Sequence, residues 1–139
     1  PAMINFFTRF SCLLDVGTPA NAVRAFDIYT ALMAENAIED PPAEPFLLSL
    51  TPEHGPARLW LRDPGSADQQ LLITFVTRCA EAFGLTGRWG FQWANIPSDP
   101  VVNGFYGGAH VLDLSTGATL EWMSTGRWLA ERLAEGDAR

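Results

Sequence analysis

The sequence has 139 residues, of which 47% are hydrophobic and 18% charged, a balance that predicts one packed domain over residues 3–139 and argues against a disordered chain. Nine basic residues, all Arg, face sixteen acidic ones for a formal charge of −7, which argues against nucleic acid as a partner because backbone binding draws on clustered cations. No apolar run reaches the eighteen or more residues of a membrane span and no signal-peptide pattern opens the chain, so the expectation is a cytoplasmic protein with no membrane partner.

Pro1 and Ala2 ahead of Met3 read as a cloning remnant. From Ile4 to Leu14, Phe6, Phe10, Cys12 and Leu14 alternate with Asn5, Arg9 and Ser11, the period of two of a half-buried strand. Thr18-Pro19 supplies a cap and a first-position proline for a helix running to about Ala37, with Ala22, Ala25, Tyr29, Leu32 and Met33 at helical spacing. Three prolines between Asp40 and Pro45 end regular structure. Phe46 to Leu50 and Ala57 to Arg62 then form a hairpin in which Leu59 and Leu61 face one way and Arg58, Trp60 and Arg62 the other.

Ser66 with Gln69 has the form of a capping box, opening a second helix whose stripe of Leu72, Phe75, Val76, Cys79 and Phe83 ends at Gly84. A strand over Trp89–Asn95 is followed by a Pro/Gly-rich loop from Ile96 to Gly108. His110–Leu114 and Thr119–Met123 pair as a hairpin, and Trp128, Leu129 and Leu133 mark a short amphipathic helix. The predicted class is α+β in the order β-α-β-β-α-β-β-β-α: a ferredoxin-like sheet with helices on one face, plus a C-terminal hairpin and helix.

No motif assigns chemistry. His54 and His110 lack ligand spacing, so no metal is expected, and no cofactor loop is present. Cys12 and Cys79 lie in phase with apolar neighbours and read as buried thiols. Between Arg24 and Arg58 the six acids Asp27, Glu35, Glu39, Asp40, Glu44 and Glu53 stand without a basic residue, a solvated acidic surface.

Two segments concentrate groups suited to recognition. Trp60 flanked by Arg58 and Arg62 joins the residue types that anchor interfaces. Asn95, Asp99, Asn103, Tyr106 and His110 bring hydrogen-bonding groups to a loop whose glycines permit close approach, although Asn and Gly also serve turns and one-faced aromatics also serve cores. Over Trp89-Gly90-Phe91-Gln92-Trp93-Ala94-Asn95 and Phe105-Tyr106-Gly107-Gly108-Ala109 the chain resembles a group of small bacterial proteins, many from plasmids and other mobile elements, that share a WxFxWAN element before an FxGGA element. The resemblance extends from the first helix through Trp122 and implies no catalytic residue. The sequence therefore leads to a protein-binding or regulatory module, an accessory or counter-defence protein of a mobile element, with a protein partner or self-association. The alternative is a small enzyme or metabolite binder using residues 96–110.

Overall fold

The computed structural model describes residues 4–137, so the reading of Pro1 and Ala2 lies outside the described residues. The first strand is not one strand but two: β1 (Phe6–Arg9) and β2 (Ser11–Asp15) lie either side of Phe10. Asp63 causes the break. Its buried carboxylate accepts from the Phe10 amide (2.7 Å), the Gly65 amide (2.9 Å) and Arg9 Nε, and its own amide donates to the Phe10 carbonyl (3.1 Å). A side chain thus takes the hydrogen bond that a continuous ladder would have used, and the strand passes from one sheet to another.

β2 pairs antiparallel with β4 (Arg58–Arg62), Leu13 opposite Trp60, and β4 pairs with β3 (Leu47–Leu50). β1 pairs antiparallel with β5 (Arg88–Pro97), Thr8 opposite Asn95, and β6 (Tyr106–Asp113) and β7 (Thr119–Ser124) extend that sheet. The two sheets, ordered β2-β4-β3 and β1-β5-β6-β7, join through Phe10. Followed through Phe10, the neighbours run β3, β4, first strand, β5, so the expected split βαβ pattern is present but divided. Trp89 spans the division, its indole N–H donating to the Leu13 carbonyl at 2.8 Å.

α1 (Pro19–Ala37) begins as its residues dictate, the Thr18 side chain accepting from the Asn21 amide and Pro19 opening the first turn. Its last turn holds the proline-rich loop, the Asn36 side chain exchanging two hydrogen bonds with the Ala43 backbone (2.8 and 2.9 Å). α2 (Gln69–Phe83) is capped by Asp68, which accepts from the Leu71 amide, and not by Ser66. Ser66 is engaged elsewhere, its hydroxyl accepting from the Thr8 amide and facing Glu44. Gly84 closes α2 in the left-handed conformation (φ 62°), where a side chain would be strained.

Leu59 and Leu61 of β4 point into the core while Arg58, Trp60 and Arg62 face outward. The buried residues of α1 and α2 join the same cluster as Leu59, Leu61 and Leu14, which puts both helices on that face and leaves the other open. Phe46, Phe75, Leu72 and Val76 are fully buried at its centre, each worth about 1.5–3 kcal/mol in water exclusion. α3 (Thr125–Asp137) follows β7 without a loop. No helix among the described residues is long and apolar enough to cross a membrane.

Candidate functional site

On the open side of the three-stranded sheet, Trp60 is 38% exposed yet fixed. Its indole N–H donates to Ser11 Oγ at 2.8 Å, possible because Ser11 and Trp60 point to the same side of adjacent strands. The Arg62 guanidinium covers the ring at 3.9 Å and is itself tied to Ser49 Oγ at 2.8 Å across the β3–β4 ladder. Arg58 sits 3.6 Å from Asp15 at the far end of β4. The three residues singled out from the sequence are therefore one ordered row, with the indole clamped between a hydroxyl and a guanidinium.

Beside that row lies a cleft of about 330 Å3, lined by Ser11, Cys12, Leu13, Thr51, Glu53, His54 and Trp60. Its polar wall comes from the hairpin turn. The buried Thr51 hydroxyl donates to Glu53 Oε1 at 2.8 Å and contacts His54 Nδ1, also at 2.8 Å. A hydroxyl has one proton, so with that proton on Glu53 the imidazole must donate from Nδ1, which leaves Nε2 as the acceptor. The Glu53 amide and then the Thr51 hydroxyl hold the Glu53 carboxyl below its ordinary pKa. Cys12, paired with the inward-facing Leu61, packs its side chain on the core, where burial pushes the thiol up to about 12 and keeps it neutral and unreactive. Sequence reasoning missed Thr51 and Glu53 here; Thr-Pro-Glu-His is a turn signal, and only the fold brings that turn against β2.

The second set is dispersed. Asn95 is buried, its side-chain carbonyl accepting from Thr8 Oγ1 at 2.7 Å across the β1–β5 ladder. Asp99 is exposed next to Ser98, and Asn103 occupies a left-handed turn position (φ 55°). Tyr106 stands opposite Asn95 with its ring 6.5 Å from Phe6. His110 lies four residues further along β6, stacked on Phe91 and bonded to Thr119 Oγ1 at 2.7 Å, with its pKa lowered by burial. Asn95, Asp99 and His110 each bond to a different partner, and no shared donor set forms among the five. The loop is also shorter than expected, because β5 runs on to Pro97 and β6 starts at Tyr106.

The WxFxWAN and FxGGA segments meet as packing. Trp89, Phe91 and Trp93 turn inward on β5, and Trp93 lies across Gly108 and stacks on Trp122 of β7. A Cβ on Gly108 would come 2.6 Å from the Trp93 ring. The acidic stretch is partly paired: Glu35 of α1 takes both guanidinium nitrogens of Arg78 of α2 (2.6 and 2.8 Å), whose hydrogen bonds lower the Glu35 pKa. No group of three His, Cys, Asp or Glu side chains gathers as a metal site among the described residues. Set against models of protein families, curated proteins and solved structures, the chain finds no significant match in any of the three.

Proposed function

We propose that the protein works by contact, as a small binding or regulatory module whose partner docks on the Trp60 row and its cleft. The carrying observation is that Trp60 is both exposed and already held, by Ser11 on one side and Arg62 on the other. An anchor ordered in advance loses little side-chain entropy on docking, and Trp and Arg are the residues that most often dominate interface energies. The cleft offers the partner an apolar floor at Leu13 and acceptors at His54 Nε2 and Glu53, which suits a protein segment presenting an apolar side chain beside a hydrogen-bond donor. The setting that fits this reading is the cytoplasm, and the likeness to mobile-element proteins directs it toward an accessory or counter-defence role.

The test is affinity capture from lysate of the source cell, with the captured partner then titrated against purified variants. Trp60→Ala should weaken binding by about 2 kcal/mol or more, roughly thirtyfold, while Trp60→Phe retains part of it. Circular dichroism should be unchanged in both, since the ring lies on the open face. Equal binding by Trp60→Ala would remove this surface from the function.

A further inference from the structure

A second hollow, of about 440 Å3, opens where the outward side of β1 meets the segment leading from β4 to α2. Phe7 and Arg9 are two apart on β1 and share a face, and Ile96 stands opposite Phe7 on β5, so the three form one wall. Pro64, Gly65 and Ser66 form the facing rim. Arg9 is held from behind, its Nε donating to Asp63 Oδ2, the oxygen that also accepts from the Gly65 amide at 2.9 Å. The Asp63 side chain is 4% exposed and that of Arg9 53%, so the pair combines a buried carboxylate with an open guanidinium. The two terminal nitrogens of that guanidinium meet no acceptor among the described residues. At the next residue of the rim, Ser66 Oγ accepts from the Thr8 amide (3.0 Å) and donates to Glu44 Oε1 (3.3 Å), which brings the Glu44 carboxylate to the same hollow. Arg9 is paired with Asp63 and not with Glu44.

We propose that this hollow binds a free α-amino acid with an apolar side chain. A guanidinium whose Nε is engaged keeps one fork, formed by its two terminal nitrogens, and that fork matches a carboxylate in a bidentate pair. Asp63 orients the fork before any ligand arrives, which lowers the ordering cost of binding. Glu44 selects against a simple anion, because a lone carboxylate would gain Arg9 but face two carboxylates of the protein. A zwitterion satisfies both ends: its carboxylate takes Arg9, and its ammonium takes Glu44. The spacing fits, since Arg9 is anchored through Asp63 at Gly65 and Glu44 at Ser66, consecutive residues, and the two charges of an α-amino acid sit on one carbon. Phe7, Ile96 and Pro64 give its side chain an apolar wall. The volume falls within the range of small-molecule sites. The Trp60 cleft shares no lining residue with this hollow, so the amino-acid site stands independently of the contact surface.

The experiment is an NMR titration of the nitrogen-labelled full chain with L-leucine, 4-methylpentanoate and 3-methylbutylamine, which carry on one apolar body both charges, the carboxylate alone and the ammonium alone. L-Leucine should saturably shift the Gly65 and Ser66 amides and the Arg9 Nε–H, and each analogue should bind at least about tenfold more weakly. Glu44→Gln, a change on an exposed side chain, should weaken leucine about tenfold and leave 4-methylpentanoate no weaker than before. Arg9→Lys keeps a cation for Asp63 but removes the fork, so it should weaken leucine and 4-methylpentanoate alike, with the denaturation midpoint reporting the fold. Trp60→Ala should bind leucine as the wild type does, which separates this site from the contact surface. Leucine that leaves these signals unmoved through the millimolar range overturns the proposal. So does 4-methylpentanoate binding as tightly as leucine, and so does leucine binding that Glu44→Gln and Arg9→Lys both leave unchanged.

Discussion

Trp93 packs its ring against Gly108 and its backbone against Gly107, and these contacts explain why two glycines follow each other in β6. A methyl group on Gly108 would meet the indole ring and the Met123 carbonyl of β7, and one on Gly107 would meet the Trp93 carbonyl. Both glycines sit where β6 is clasped between two strands, opposite Ala94 and Trp93. Their requirement is steric, since neither has the positive φ that turns demand. Gly108→Ala should therefore cost about 2–3 kcal/mol through overpacking, whereas Gly136→Ala, on an exposed helix with open space around it, should be neutral or slightly stabilising. Urea unfolding followed by tryptophan fluorescence decides this. A Gly108→Ala protein as stable as the wild type would show that both the Trp93 ring and the β7 backbone at Met123 can move aside.

At the scale of elements, the break of the first strand depends on Asp63, which lies over fifty residues away in sequence. Asp63→Ala strands the buried Phe10 amide and removes acceptors from Gly65 and Arg9, so the expected loss is about 2–3 kcal/mol. Asp63→Asn keeps an acceptor for Phe10 and should lose less. Denaturation midpoints of the two variants check the order; equal losses would mean that the charge, and not the acceptor, holds the bend. The same element shows where sequence reading stops. Phe6, Phe10, Cys12 and Leu14 keep one parity through the break, so periodicity alone reads a single strand. Local signals carried further: Thr18-Pro19, Gly84 and the turn before β4 placed their elements because caps and turns are satisfied within a few residues. Ser66 was outcompeted by Asp68 as the cap because the Thr8 amide claims its hydroxyl, again a contact from a distant segment. For the candidate site, the outward row of Arg58, Trp60 and Arg62 was legible from alternation. The cleft was not, since Thr51, Glu53 and His54 reach it through tertiary packing. The apolar stripe of α3 was also legible, but the exposure of Trp128, Leu129 and Leu133 was not.

Over the whole molecule, the core holds groups that must stay protonated, and the composition makes their effect measurable. Cys12 lies on the three-stranded sheet and Cys79 on α2, and desolvation pushes both thiols up to about 12. The Tyr29 hydroxyl, donating to the Phe46 carbonyl, is also raised by burial. A group with a raised pKa in the folded state keeps its proton while the unfolded chain releases it. Its stabilisation is therefore complete below the unfolded pKa and declines as pH climbs toward the folded one. For the thiols that window opens near pH 9, their ordinary value, and extends to about 12. The chain has no lysine, and arginine remains charged throughout, so the two thiols and the Tyr29 phenol carry the pH dependence of stability in this range. Stability should be level from neutral pH to about pH 9 and then fall steadily, with both sheets and α2 lost in one transition because one cluster joins them. Cys79→Ala should start about 1 kcal/mol lower from the small void it leaves, yet show a shallower decline above pH 9. Urea midpoints taken between pH 7 and 11 for the two proteins measure the slopes directly. Parallel slopes would mean that Cys79 ionises as readily in the folded protein as in the unfolded chain, and that the core at α2 admits water.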